Sequence, residues 1–376
     1  MACFLLLRVP AAAAAGPLWP EAVADLKARA EALLSDGPWS VMDKTETPPS
    51  GDKHDYFSLS PYHWPNPDTP DGLPYVFRDG QVNPEARGAA FDRDRYGAMV
   101  KTAERLALAW RHTGEERFAV RAALLLRVWF LAPETRMNPH LEYAQYIRGA
   151  PKEDQKSWGI IRGTRLVRLN RAVEWIAGSG AWSGADTRAW REWLRAYIHW
   201  LTRSEKGQAE AKAVNNHGTW YDVQTAALAL ACGEAARAKR VLEQAPERRI
   251  ARQIKSDGRQ IFEMIRTKSW DYSIMNLEGL FELARLGEQV GLDLWHFRTD
   301  DGRCLRAALD FLVPAATGEK EWPGKQVEPF RPEKLYPLLR RAAVKYDCPA
   351  YLDAAQQIPG AGDEAAEDWL FWPEVQ

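Results

Sequence analysis

Apolar residues recur at helical spacing from about residue 20 to the C-terminus, whereas the alternation typical of strands is scarce. Short glycine-containing turns, such as Thr113-Gly114-Glu115 and Cys232-Gly233-Glu234, lead directly from one helical pattern into the next. The pattern therefore predicts an all-α protein of stacked antiparallel helix pairs, which build either an open solenoid or a closed α/α toroid. The predicted helical stretches are residues 20–34, 84–112, 115–131, 164–177, 185–201, 219–231, 260–266, 272–287, 303–313 and 332–344.

The helical pattern is interrupted at residues 48–83, where prolines and glycines are frequent. Irregular segments of this length are functional or disordered, and the aromatic content of this one argues against disorder. Its cationic and aromatic side chains would suit an acidic sugar, and some of the rings are expected to pin the segment to the helices. We therefore predict a lid loop whose candidate binding residues are Lys53, His54, Tyr62, His63 and Trp64.

The charge and aromatic composition narrow the class of partner. The formal net charge is −1, with 50 basic and 51 acidic residues spread along the chain, so no basic face for nucleic acid is predicted. The 17 tryptophans are many for this length, and exposed rings commonly stack on sugars, although Trp129, Trp190 and Trp193 suit helix interfaces. No apolar run approaches the roughly 18 residues of a membrane-spanning helix.

Neither cysteine spacing nor histidine clustering suggests a metal or another cofactor, and none is predicted. The four cysteines lie far apart, at Cys3, Cys232, Cys304 and Cys348. Residues 1–15 resemble a shortened signal peptide, in which Arg8 and Pro10 interrupt the apolar run. The chain is thus predicted to have a degenerate signal peptide at 1–15 and one catalytic domain at 16–376, and to act in the periplasm or outside the cell.

The segment 213–224, Ala-Val-Asn-Asn-His-Gly-Thr-Trp-Tyr-Asp-Val-Gln, places two carboxamides and an imidazole at a predicted helix start. Asn215 or Asn216 would be the N-cap, with His217 in the first turn. The positive end of the helix dipole disfavours imidazolium, so we expect His217 to be neutral near pH 7. A neutral imidazole beside an amide can help to abstract a proton while the amide binds a substrate oxygen. A simple cap with a satisfied histidine is the alternative.

A second candidate site precedes the apolar stretch 272–287. Arg266, Lys268 and Tyr272 stand close together in the sequence there. Fixed positive charge makes a tyrosine easier to ionise, so Tyr272 is predicted to act as base, acid or both in a proton transfer. The same pattern is also common on ordinary solvated surfaces.

Together these segments resemble the alginate lyase superfamily of polysaccharide lyases. The resemblance is carried by Lys-His-Asp-Tyr-x-Ser-x-x-Pro-Tyr-x-Trp-Pro at 53–65, Asn-Asn-His-Gly-x-Trp-Tyr at 215–221 and Asp-Gly…Glu…Arg…Tyr at 257–272, with Asn138-Pro139 and Gln145. It spans roughly residues 35–310, and the loop is most similar to the branch that contains glucuronan lyases and some alginate lyases. The resemblance implies an α/α toroid, no obligatory metal, and β-elimination at a uronate of an acidic polysaccharide.

The resemblance also implies roles for single residues. Asn216 and Arg266 would neutralise the uronate carboxylate, His217 would assist proton abstraction or orient the site, and Tyr272 would protonate the departing oxygen. In β-1,4-linked glucuronate or mannuronate the C5 hydrogen and the C4 oxygen lie on the same side, so Tyr272 can also be the base. Guluronate would require His217 as a separate base. Substrate contacts are assigned to Asn215, which can exchange roles with Asn216, and to Lys53, Tyr62, His63, Trp64, Gln145, Trp220, Tyr221 and Lys268.

Two other functions are compatible with the sequence. A glycoside hydrolase on a similar toroid would need two carboxylates beside the bond, such as Asp55 with Asp222 or Asp271. A non-catalytic helical protein would use the loop and its tryptophans only to bind carbohydrate.

Overall fold

The computed structural model describes residues 20–359. Within that part the helices are α1 (Pro20–Ala32), α2 (Asp92–Thr113), α3 (Glu116–Leu126), α4 (Thr164–Ile176), α5 (Gly184–Arg203), α6 (Glu205–Ala211), α7 (Asn216–Ala231), α8 (Ala235–Leu242), α9 (Ile261–Met264), α10 (Ser269–Glu288), α11 (Leu305–Ala316), α12 (Tyr336–Lys345) and α13 (Ala350–Gln357). The strands are β1 (Phe57–Leu59), β2 (His63–Trp64), β3 (Val76–Phe77) and β4 (Tyr143–Tyr146).

Helices α2, α4, α7 and α10 pack side by side in that order, and α3, α5, α8 and α11 pack against members of this row. The chain reverses between partners at turns such as Gly114, whose φ of 69° is left-handed and whose N–H donates to the Trp110 carbonyl oxygen at 2.8 Å. This is the predicted arrangement of stacked antiparallel helix pairs.

Helix α7 lies between two apolar cores. The first core, built mainly by α1–α5, encloses Trp129 and Trp190, and the second, built by α7–α13, encloses Trp270. Tyr221 of α7 belongs to the first core and Val223 to the second. Because α7 is covered on both sides, it has no solvent-facing polar side, and polar residues such as Asp222 and Gln224 are buried and bonded to neighbouring helices. The buried tryptophans fill helix interfaces, as the sequence predicted for Trp129 and Trp190.

The segment 48–83 is more ordered than the sequence predicted, because it contains three of the short strands. Strand β1 pairs in parallel with β4, with Phe57 opposite Tyr143. Strands β2 and β3 pair antiparallel, with His63 opposite Phe77. These strands fix the loop at the edge of the helical row.

Other differences concern short elements. The predicted helix 84–112 begins at Asp92, because Pro84–Ala86 forms a separate 3-10 turn. Helices α6, α8 and α13 were not predicted; each has seven or eight residues. The predicted leader at 1–15 lies outside the described residues. Between residues 20 and 359 no helix is long and apolar enough to cross a membrane.

Candidate active site

Tyr272 lies in the first turn of α10, and two polar side chains contact its hydroxyl oxygen. Arg266 Nη2 donates to Tyr272 Oη at 3.2 Å, and Tyr62 Oη of the loop lies 3.2 Å from the same atom. The Arg266 guanidinium is also 4.2 Å from the centre of the Tyr272 ring. The predicted residues Tyr62, Arg266 and Tyr272 therefore meet at one point, although 210 positions separate Tyr62 from Tyr272.

Burial raises the pKa of Tyr272, as does the neighbouring Tyr62, while Arg266 lowers it less than these raise it. Arg266 thus acts in the expected direction, but burial and Tyr62 outweigh it, so the net pKa of Tyr272 is raised. The sequence showed the nearby charge but not the burial. Tyr272 is a neutral phenol at rest, with two groups placed to donate to its oxygen when it loses a proton.

Asp79 holds Arg266 in place from the loop. Arg266 donates to both Asp79 oxygens, at 2.8 and 3.4 Å, and Thr267 Oγ1 donates to Asp79 Oδ2 at 3.0 Å. The arginine and these hydrogen bonds lower the pKa of Asp79 against the opposing effect of burial. The loop is thus tied to the α9–α10 connection by an ion pair next to Tyr272.

Asn216 begins α7 and is anchored on a buried carboxylate. Its backbone N–H and its side-chain Nδ2 donate to the two oxygens of Glu263, at 2.6 and 2.8 Å, and Asn216 is only 1% exposed. Asn215 holds the N-cap position without a side-chain capping bond. Glu263 thus fixes the carboxamide of Asn216 through one of its two N–H groups, and the direct contact with a uronate carboxylate that the resemblance implied stays a prediction.

His217 pairs with Glu210. The distance from His217 Nδ1 to Glu210 Oε1 is 2.6 Å, and the other oxygen of Glu210 accepts a hydrogen bond from Ser157 at 2.7 Å. Burial lowers the pKa of His217, but the charge and hydrogen bond of Glu210 raise it more, so the net shift is upward. The expectation of a neutral imidazole rested on the helix dipole alone, whereas Glu210, which the sequence did not place there, favours the protonated form.

The turn 263–266 connects the residues around Asn216 with the residues around Tyr272. Arg266 N–H donates to the Glu263 carbonyl oxygen at 3.1 Å, so the residue that anchors Asn216 and the residue that contacts Tyr272 lie in one turn. Burial raises the pKa of Glu263, which the bonds from Asn216 and the charges of His217 and Arg266 oppose. The starts of α7 and α10 are thereby fixed relative to each other.

The loop residues that the sequence grouped together have separate environments. His63 is buried against Ser60, Phe77 and Trp158, and burial lowers its pKa to about 4. The predicted cationic surface therefore does not include His63, which is neutral near pH 7. Trp64 donates its indole N–H to the Gln81 carbonyl oxygen at 2.9 Å.

Lys53 lies at the base of the loop, where its carbonyl oxygen accepts a hydrogen bond from Lys44. His54 Nδ1 is 2.7 Å from the Arg136 carbonyl oxygen, at the same end. Lys268, by contrast, lies 5.6 Å from the centre of the Tyr62 ring and pairs with Glu328. Of Lys53, His54 and Lys268, only Lys268 borders the Tyr62–Tyr272 contact.

Gln145 has a left-handed backbone, with φ of 55°, at the irregular pairing of β1 with β4. Its side-chain Nε2 donates to the Trp158 carbonyl oxygen at 3.3 Å, and the Trp158 ring contacts His63 and Phe77. A non-glycine residue in this conformation stores strain that is often found at ligand sites. Through Trp158, Gln145 lies beside the loop, and its contact with substrate stays a prediction.

Trp220 and Tyr221 are turned toward the helix interfaces. The Trp220 indole donates to the Met275 carbonyl oxygen at 3.0 Å, and Tyr221 is 8% exposed with its hydroxyl 3.4 Å from the Leu201 carbonyl oxygen. The structure does not bring these two predicted contacts to Tyr272.

The carboxylates proposed for a hydrolase are each engaged elsewhere. Asp222 is 1% exposed and paired with Arg249, Asp55 accepts hydrogen bonds from Asn138, and Asp271 is paired with a lysine. They do not flank a common cleft.

In the described part of the chain there is no group of three or more His, Cys, Asp or Glu side chains suited to a metal ion.

Three acidic residues of the site were missed from the sequence: Asp79, Glu210 and Glu263. Glu263 was visible as the glutamate of the 257–272 motif, yet nothing in the sequence indicated its partner. No sequence motif marked Asp79 or Glu210. The partner of Asp79, Arg266, is distant in sequence, and the partner of Glu210, His217, lies in another helix.

Comparison with known proteins identifies the fold. The alginate lyase family profile matches residues 40–322. An alginate lyase from Bacteroides ovatus is 37% identical, with 92% of each chain covered and a TM-score of 0.88. Alginate lyase A1-III from Sphingomonas species A1 is 16% identical, with 89% of this chain and 92% of that chain covered and a TM-score of 0.53. A histidine-to-alanine variant of A1-III complexed with a tetrasaccharide is also 16% identical, with 86% of each chain covered and a TM-score of 0.57. A search of curated proteins gives no match. The predicted α/α toroid is confirmed.

Proposed function

The chain belongs to the alginate lyase family and is a polysaccharide lyase, and we propose that it cleaves β-1,4-linked mannuronate or glucuronate through Tyr272. In this reaction Tyr272 acts as the phenolate: its phenol proton is first released to solvent, and the C5 proton of the uronate is then transferred to the phenolate oxygen. The electron pair forms the C4–C5 double bond, the bond from C4 to the glycosidic oxygen breaks, and that oxygen takes the proton back from Tyr272.

The observation that carries this proposal is the pair of contacts at Tyr272 Oη, one from the donor Arg266 Nη2 and one with the Tyr62 hydroxyl, each at 3.2 Å. Between two phenols either hydroxyl can donate, but once Tyr272 is a phenolate it accepts from both Arg266 and Tyr62. The two contacts therefore favour the charged form at the moment of transfer and offset the effect of burial. Removal of either donor is expected to slow proton abstraction.

The raised pKa of His217 supports a syn elimination. The pairing with Glu210 favours the imidazolium, which cannot accept a further proton but can, together with Arg266, neutralise charge that develops on the uronate carboxylate. The base is then Tyr272, and one residue serves both proton transfers only when the C5 hydrogen and C4 oxygen are on the same side. This argument favours mannuronate and glucuronate over guluronate.

The test is an ultraviolet assay of the unsaturated uronate with polymannuronate, glucuronan and polyguluronate. The proposal predicts absorbance with the first or second polymer and little with the third. Reducing ends without absorbance would indicate hydrolysis, and binding without either product would indicate a carbohydrate-binding protein. Rapid cleavage of polyguluronate alone would require His217 as the base and would overturn the syn mechanism.

We further propose that the enzyme is exported, on the basis of the leader-like residues 1–15. Fractionation of cells that express the full chain tests this. Activity confined to the cytoplasm, with residues 1–15 retained, would contradict export.

A further inference from the structure

Three arginines lie together beside the Tyr62 side of the site. Arg93 is in the first turn of α2, Arg162 immediately precedes α4, and Arg165 is in its first turn. Burial is the largest cause of the lowered pKa of both Arg162 and Arg93. Tyr56, Arg165, Arg87 and Tyr62 are also close enough to affect Arg162, and Arg162 and Arg87 affect Arg93. Each of these guanidinium groups therefore lies near another positively charged guanidinium.

These guanidinium groups contain nitrogen atoms that are buried without a partner. Arg93 Nη1, Arg162 Nε and Arg165 Nη1 have no contact with water and no hydrogen bond within the described residues. None of the three arginines forms an ion pair with a carboxylate in that part of the chain. Unpaired buried donors on like charges are costly, and burial lowers the pKa of Arg93 to about 10. A bound anion would relieve both costs.

A glycine in α2 leaves room for the side chain of Arg165. The Arg165 guanidinium lies 5.3 Å from the centre of the Tyr96 ring, and its Nη1 would be only 3.1 Å from a Cβ placed at Gly97. The glycine therefore lets the guanidinium lie close to α2. Further along α4, Arg168 differs, because it is paired with Glu104.

A cavity of about 410 Å³ continues from Arg165 between α2 and α4. Four basic side chains and one carboxylate line it, namely Lys101, Arg105, Arg165, Arg168 and Glu104. Because Arg165 belongs both to the cavity and to the arginine group, the cavity adjoins that group.

We propose that Arg93, Arg162 and Arg165 form a subsite for the carboxylate of a uronate next to the one on which Tyr272 acts. The polysaccharide then runs from Tyr272 past Tyr62 toward the cavity between α2 and α4. The arginine fork binds carboxylates in two-point contacts, and a polyanion with one carboxylate per sugar presents them repeatedly. This subsite rests on the proposed function, since the negatively charged partner that it gives the three arginines is a carboxylate of the polyuronate substrate.

The experiment uses three test variants: Arg93→Gln, Arg162→Gln and the double variant that carries both substitutions. The control is Arg188→Gln, which removes an exposed arginine from helix α5. With polymannuronate or glucuronan, each of the first two is expected to raise KM roughly tenfold while kcat changes little. Their KM values should also depend less on sodium chloride than that of the wild type. Arg188→Gln should match the wild type.

Binding is measured separately, by calorimetry with an oligomannuronate, in the Tyr272→Phe background that prevents turnover. Loss of affinity on adding Arg93→Gln or Arg162→Gln, with unchanged thermal unfolding, supports the subsite. Arg162→Lys keeps the charge and should recover part of the affinity. Equal affinity with and without the substitutions would overturn the subsite. A wild type that binds the oligosaccharide through these arginines but produces no unsaturated uronate would overturn the lyase mechanism and leave the subsite standing.

Discussion

At the scale of single residues, the site depends on how carboxylates set the state of their partners. The sequence identified Tyr272, Arg266 and His217, and the structure brings Tyr62 to the first two. It did not indicate that Glu210 would raise the pKa of His217, because local spacing carries no information about a buried partner from α6. The protonation states at such a site follow from tertiary contacts rather than from sequence motifs.

Glu210→Gln should reduce the pKa of His217, because it removes the charge that raises it. If activity requires the imidazolium, the alkaline side of the pH–rate profile should move to lower pH in the variant. The contribution of the raised pKa to stability is fully present below the ordinary value of 6.5 and is lost as pH rises through the folded-state pKa. The variant's loss of thermal stability should therefore be largest at acidic pH.

The measurements are kcat/KM and the unfolding temperature across pH for both proteins. Exposed Glu243→Gln is the matched control, and its profile should coincide with that of the wild type. A Glu210→Gln profile with an unshifted alkaline side would show that His217 does not need to be charged.

At the scale of elements, two connections hold the site together. Asp79 ties the loop to Arg266, and the start of α7 is fixed by Glu263. Periodicity predicted α7 and α10 well, since both are long and apolar. It could not predict the loop's short strands, because two- or three-residue pairings such as His63 with Phe77 are determined by tertiary contacts.

Asp79→Asn should loosen the loop without unfolding the protein. The neutral amide cannot pair with Arg266, which would be free to adopt other rotamers, and we expect kcat/KM to fall roughly tenfold. Steady-state kinetics and thermal unfolding check this, with the exposed Asp68→Asn of the same loop as control. Kinetics identical to the wild type would show that the ion pair does not position Arg266.

Gly218→Ala should disturb the first turn of α7. A Cβ there would be 2.0 Å from the Ala213 carbonyl oxygen and 2.2 Å from Arg249 Nη1. Such overpacking costs about 1–3 kcal/mol, more than the gain of about 1 kcal/mol in helix propensity. We expect a lower unfolding temperature and reduced activity. Gly180→Ala, which has open space around it, should show neither change, and stability equal to the wild type in Gly218→Ala would contradict the account.

At the scale of the whole molecule, helix pairing was predictable but closure was not. Glycine turns such as Gly114 indicate that neighbouring helices run antiparallel. Whether the pairs close into a toroid depends on the small rotation between them, which results from side-chain packing such as that of Trp270 in the second core. The arginine group at α2 and α4 was likewise invisible, because Arg93 and Arg162 come together only in the folded chain.

The toroid is also predicted to work without a metal ion, since Arg266 and His217 can supply the positive charge that the carboxylate needs. Dialysis against EDTA should leave kcat/KM unchanged. Thermal unfolding in EDTA is the control, because loss of a structural ion would lower stability as well as activity. A loss of activity at unchanged stability, restored by a divalent cation, would contradict this prediction.

The central claim is that Tyr272 transfers both protons, and the rate of unsaturated uronate formation by Tyr272→Phe tests it most directly. The variant removes only the hydroxyl, so oligomannuronate binding by calorimetry should stay close to that of the wild type. We predict that kcat falls by about three orders of magnitude or more, with the folded structure retained. A variant that binds the oligosaccharide and keeps more than roughly a tenth of the wild-type kcat would remove Tyr272 from the mechanism.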